Sequence, residues 1–148
     1  MKILHISAEC FPIAKVGGLA DVVGALPKYQ KDLGPTSSVV IPYYNNAFTQ
    51  SNTFETIHDH YISLGHEYYH FKVLKLTNHQ LGFDLFSIDI PDLLYTNFVY
   101  SNADTKRFLA FQIATLDWIL KLKVKPDIMH VHDHHTGLIP FMMSYSFK

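Results

Sequence analysis

Cysteine occurs once in the 148 residues, at Cys10. No internal disulfide can form, so a reducing, cytoplasmic setting fits better than a stapled secreted scaffold. Charge is scarce as well: 17% of residues are charged and 48% hydrophobic, against about 25% charged in an ordinary soluble domain, which excludes intrinsic disorder. Twelve Lys and Arg against thirteen Asp and Glu leave a formal net charge of −1. There is thus no basic field for a nucleic-acid backbone or an anionic membrane, neither is expected as a partner, and any anion must be recognised locally. Long apolar runs are missing. His, charged or turn residues interrupt every hydrophobic stretch short of the ~18–20 residues of a membrane helix, and His5, Ser7 and Glu9 break up the N-terminal segment where a signal peptide needs its apolar centre. Neither G-x-G-x-x-G nor G-x-x-x-x-G-K-[ST] occurs, which argues against NAD and P-loop chemistry.

What is present reads as one α/β domain, since domains run to ~100–200 residues. Lys2–Ser7 is a short, apolar, β-branched stretch expected as a buried strand, followed by a loop with Pro12 and Gly17-Gly18. Leu19, Val22, Val23, Leu26 and Leu33 then recur at helical spacing until Gly34-Pro35. Pro27 predicts a kink, or a second helical segment opening there. Ser38–Pro42 predicts a second strand, parallel to the first. His66–Leu76 and Gln80–Ile90 alternate partially around Thr77-Asn78-His79 and predict an antiparallel hairpin insertion. Ala103–Leu122 predicts a long buried helix through Phe108, Phe111, Thr115, Trp118 and Ile119, and Ile128–His132 a third parallel strand. A final helix through Gly137–Tyr145 would be capped by Thr136. In this architecture such a helix normally returns to another strand, so the chain reads as a fragment.

Two loops carry candidate chemistry. Gly17-Gly18 lies between a buried strand and a helix, where unpaired backbone N–H groups and the positive helix end can hold a diphosphate, with Lys15 as a mobile cation beside it. A plain tight turn beside a solvated lysine accounts for the same spacing. At the other strand end stand His130, His132, Asp133, His134 and His135. Imidazole and carboxylate suit zinc, but adjacent ligands at a strand end do not readily close around one tetrahedral ion, so no metal is assigned. His130 then reads as a satisfied core histidine. Asp133 either hydrogen-bonds sugar hydroxyls at the lip of the crevice or caps the following helix. Tyr100, Asp104 and Arg107 face the same cleft or are merely polar surface.

Lys15-Val16-Gly17-Gly18-Leu19-Ala20-Asp21-Val22 resembles the K-[TV]-G-G-L-A-D-V signature of bacterial glycogen synthases and plant starch synthases, and the likeness continues through Gly24-Ala25-Leu26-Pro27. Pro126-Asp127 through His130, His132, Asp133, His135 and Gly137-Leu138 is similar to that family's P-D-x-x-H-x-H-D-W-H-x-G-L segment, and Ala103-Asp104 with Arg107-Phe108 to its D-N-x-x-R-F helix start. His134 stands where the family has Trp, and Ser101 where it has Gly. The resemblance implies the N-terminal, acceptor-side half of a two-domain GT-B fold, a Rossmann-like parallel sheet with an antiparallel hairpin insertion. It implies retaining transfer of glucose from ADP-glucose to the non-reducing end of an α-1,4-glucan, with no cofactor or obligatory metal. Lys15, Gly17, Gly18, Asp21 and Tyr100 would bind substrate and Asp133 would lie in the catalytic cleft. The donor-binding C-terminal domain is absent from these residues, so the chain alone is expected to be inactive. A stand-alone nucleotide- or glycan-binding module without catalysis is the competing reading.

Overall fold

The computed structural model describes residues 1–145. Six strands form one sheet in the order β3-β4-β5-β2-β1-β6. Four of them, β1 (Lys2–Ile6), β2 (Thr36–Pro42), β5 (Asp84–Asp89) and β6 (Ile128–Val131), run parallel. β4 (Glu67–Thr77) joins β5 antiparallel, and β3 (Thr53–Leu64) completes a hairpin with it. Helix α1 (Gly18–Asp32) covers one face; α3 (Asp104–Lys121) and α4 (Ile139–Tyr145) cover the other, while the short α2 (Ala47–Ser51) follows β2.

Alternation along the central strands builds two cores. Leu4, Ile6 and Val40 pack towards Phe108, Phe111 and Trp118 of α3. Val39, Ile41 and Leu85 pack towards Val23 of α1 and the Cys10–Ala14 loop. Burial on both sides explains why β1 and β2 read as continuous apolar runs rather than alternating ones.

Three expectations are corrected. The expected antiparallel hairpin of 66–76 with 80–90 is present as β4 and β5, but β5 is no insertion: it also pairs parallel with β2, from Ser38↔Asp84 to Pro42↔Ile88, and belongs to the core. Period-two alternation reports faces and is blind to the direction of the neighbouring strand. α1 runs as one helix through Pro27, which is buried in it, and its apolar spacing is only partly inward, since Ala20, Val23, Gly24 and Pro27 are buried while Val22 and Leu33 are exposed. Thr136 caps no helix. Its hydroxyl donates to the His132 carbonyl at 2.8 Å, a 3-10 turn over His134–Thr136 intervenes, and α4 begins only at Ile139.

Candidate functional site

β1 and β6 are neighbours in register, Ile6 opposite Val131, so the loops that follow them leave the same edge of the sheet. The expectation that the Gly17 and Asp133 loops open together is met.

The loop after β1 is fixed before it reaches the glycines. The Phe11 amide donates to the Ala20 carbonyl at 2.9 Å, and a Cβ on Gly24 would come within 2.5 Å of the Phe11 carbonyl oxygen. Helix α1 can therefore approach this loop only with glycine at position 24. Glu9, 3% exposed, then does what the spacing did not indicate. Its Oε1 accepts from the amides of Val16 (2.7 Å) and Gly17 (3.0 Å), and its Oε2 accepts from the Tyr100 hydroxyl. The Gly17 amide, expected to face a ligand anion, is occupied by the protein's own carboxylate. Among the described residues the amides of Gly18 and Leu19, the first of α1, have no protein acceptor.

Gly17 and Gly18 are not explained by a tight turn. Gly17 has φ −148° and ψ −159°, ordinary extended backbone, and a Cβ on either residue would meet nothing within 4 Å. Neither backbone conformation nor packing requires glycine there. The missing side chains leave open space over a helix N-terminus, which is what close approach of a phosphate needs. Lys15 is beside it with Nζ 2.8 Å from Asp21 Oδ2 and 3.0 Å from Oδ1, both side chains about half exposed. To reach an anion, Lys15 exchanges a surface carboxylate for it.

Across the edge, Asp133 has φ +63° and ψ −178°, a region that is essentially glycine-only and costs other residues about 1–3 kcal/mol. Its carboxylate accepts from the His134 amide at 2.7 Å and lies 3.0 Å from His134 Nδ1. These contacts, the amide foremost, hold its pKa below the usual carboxylate range. Both readings of Asp133 thus meet in one residue: it caps the turn while projecting, half exposed, from a strained backbone at the strand end.

Tyr100 joins the two loops. Its hydroxyl is on Glu9, and its ring stacks on His135 with centroids 4.7 Å apart. Burial, and then the bond to Glu9, push the phenol pKa up, so it remains a proton donor. Asp104 accepts from the amide (2.9 Å) and hydroxyl (2.7 Å) of Ser101, which tightens the turn after Tyr100. Arg107 does not face the cleft. It is buried and donates to the Leu93 and Val99 carbonyls, to Asp104 and to Thr96, bracing the segment that carries Tyr100. His130, expected in the core, is exposed; the buried histidines are His5, His132 and His135.

Residues 2–148 match the family profile described as the starch synthase catalytic domain. The chain belongs to the starch synthase catalytic domain family. It is 52% identical to a glycogen synthase of Flavobacterium johnsoniae over 149 residues, covering all of this chain and 32% of that protein. To a glycogen synthase of Streptococcus agalactiae it is 37% identical over 145 residues, covering 97% of this chain and 30% of that protein. Among solved structures it is similar to the catalytic domain of starch synthase IV from Arabidopsis thaliana bound to ADP and acarbose, with TM-score 0.86 and 27% identity over 97% of this chain and 30% of that one. The chain spans about a third of the length of the curated relatives it matches. As a starch synthase family domain it carries the mixed α/β sheet of that fold, and among its described residues no helix is long and apolar enough to cross a membrane.

Proposed function

We propose that this chain forms the N-terminal, acceptor-side wall of a retaining GT-B glucosyltransferase that moves glucose from ADP-glucose to the non-reducing end of an α-1,4-glucan. The observation that carries this reading is the open space over Gly17 and Gly18 at the start of α1, in a chain similar to a starch synthase bound to ADP and acarbose. As the bond between the glucose C1 and the β-phosphate oxygen breaks, negative charge grows on the diphosphate. The free amides of Gly18 and Leu19, the helix end and Lys15, released from Asp21, are placed to receive it. Glu9 and Tyr100 keep the two loops in one arrangement, so that little reorganisation remains for the reaction itself. Asp133, ionised and turned out of the strand end, accepts hydrogen bonds from sugar hydroxyls in the cleft. The opposing wall, with the remaining donor contacts, is a second domain outside these 148 residues, and the setting is the cytoplasm.

The test is incorporation of labelled glucose into glycogen. A protein joining this chain to its second domain should transfer from ADP-glucose, and purified residues 1–148 should not, because stabilisation in a cleft needs both walls. ADP or glucan binding without transfer by the two-domain protein would favour a binding module and reject the enzyme reading.

A further inference from the structure

On the α1 face of the sheet, β1 and β6 bring His5 together with His130 and His132, which lie 125 and 127 residues further along the chain. His5 is directly opposite His130 in the parallel register, and His132 follows two positions on, on the same face. One ring nitrogen from each lies within 4.8 Å of the other two. We propose that His5, His130 and His132 form a site for a divalent transition-metal ion of the zinc class, which clamps the short strand β6 to β1.

The closest pair is nearly at ligand spacing. His5 Nδ1 and His132 Nε2 are 3.0 Å apart, whereas two nitrogens bound to one tetrahedral zinc at ~2.0–2.1 Å are about 3.3–3.4 Å apart. The outer sphere is also built. His5 Nε2 lies 2.8 Å from Gln30 Oε1, and that oxygen also accepts from Ser37 Oγ at 2.7 Å. An amide oxygen in this position makes Nε2 the protonated nitrogen and leaves the Nδ1 lone pair facing His132, as oxygen acceptors behind ligand histidines commonly do. A metal at His5 Nδ1 replaces the proton shared with His132 Nε2, and that proton passes to His132 Nδ1, so His132 stays neutral and coordinates through Nε2. Burial lowers the pKa of His5 and takes that of His132 to about 4, the direction that favours the neutral rings coordination needs. His130 is exposed, with rings 4.1 Å apart from His132 by centroid, and turns in as the third ligand. Water fills the fourth position. Imidazole donors suit zinc, cobalt, nickel and copper rather than magnesium or calcium. This set differs from the adjacent Asp133-His134-His135 group, whose residues are committed to the turn and to Tyr100.

The experiment uses the 148-residue chain purified without a histidine tag, stripped with chelator and titrated with cobalt(II), followed by visible d–d absorption and by the thermal melt. One equivalent of cobalt should bind, be displaced by zinc and raise the melting temperature. His130→Ala, at an exposed position, should weaken binding by more than about tenfold with an unchanged metal-free melt, and Gln30→Ala should weaken it roughly tenfold to a hundredfold without removing it. His134→Ala should leave it intact. Absence of a stoichiometric cobalt spectrum, equal affinity in His130→Ala, or loss of binding in His134→Ala would each overturn the site.

Discussion

Replacing Glu9 by alanine tests whether one buried carboxylate holds the two loops of the site. The substitution strands three donors: the Val16 and Gly17 amides and the Tyr100 hydroxyl. Val16 is 61% exposed, so water can take over at the rim, and each of these amides should lose about 0.5–1.5 kcal/mol. The half-buried Tyr100 ring is held by His135 and Phe108 with its hydroxyl on the buried Glu9 carboxylate, and a donor left unpaired there costs about 1–3 kcal/mol. Because the three share one acceptor, the losses are not simply additive, and the total should be about 2–4 kcal/mol. For a chain of this size that corresponds to a melting temperature lower by about 4–16 °C. Glu9→Gln keeps an oxygen for the two amides and lets the Tyr100 hydroxyl turn to accept, so its loss should stay near 1 kcal/mol. Fluorescence of the single, buried Trp118 follows both melts and urea titrations. A Glu9→Ala protein within about 0.5 kcal/mol of the parent would refute the idea that Glu9 organises the glycine loop.

Lys15→Ala should cost the fold no more than about 1 kcal/mol, as surface ion pairs do, yet lower kcat/KM for ADP-glucose in the two-domain enzyme by roughly tenfold to a hundredfold, the worth of a charge-assisted bond of about 1.5–3 kcal/mol; Asp21→Ala, which frees Lys15, should preserve donor affinity, and unchanged donor kinetics in Lys15→Ala would remove Lys15 from the site. Asp133→Gly should melt at or above the parent, because relief of about 1–3 kcal/mol of backbone strain exceeds or matches loss of a cap of about 1 kcal/mol, while the glucosyl transfer proposed for the two-domain protein collapses; a clear drop in melting temperature would contradict the strain. His135, whose pKa burial lowers, is protonated more readily unfolded than folded, so its contribution to stability is complete above about pH 6.5 and is lost as pH falls below it. In melts run with chelator, His135→Phe, which keeps the stack on Tyr100 and removes the buried, unpartnered Nδ1, should flatten the decline below that pH; an unaltered slope would rule His135 out as its source.

The features legible in the sequence were those encoded over a few residues. Apolar β-branched runs announced β1, β2 and β6, and the spacing of Phe108, Phe111, Trp118 and Ile119 announced α3, because burial acts on each element through its own periodicity. β5 was legible as a strand but not as a parallel one. Its partner, β2, lies more than forty residues earlier, and no local pattern records direction. At the site the same division holds. Gly17-Gly18 and Asp133 stand in motifs of fixed spacing, whereas Glu9 acts on amides seven and eight residues on and on a hydroxyl 91 residues away. A lone acid in an apolar segment was the one available signal, since such a group is seldom buried without partners.

The histidines show how a motif and a contact map divide this information. Read along the chain, His130 to His135 is one cluster whose adjacent members cannot surround an ion. Strand pairing splits it: His130 and His132 turn to the α1 face and meet His5, while His135 crosses to the α3 face and stacks on Tyr100 and Phe108. Asp133 lies at the point of division, its positive φ falling between the end of β6 and the 3-10 turn that carries His134 and His135. Glycine is free to leave the conformation that Asp133 holds, so Asp133→Gly should disturb the placement of His135 against Tyr100, in the turn that follows, more than that of His132, whose amide is bonded to the Ile6 carbonyl beside His5.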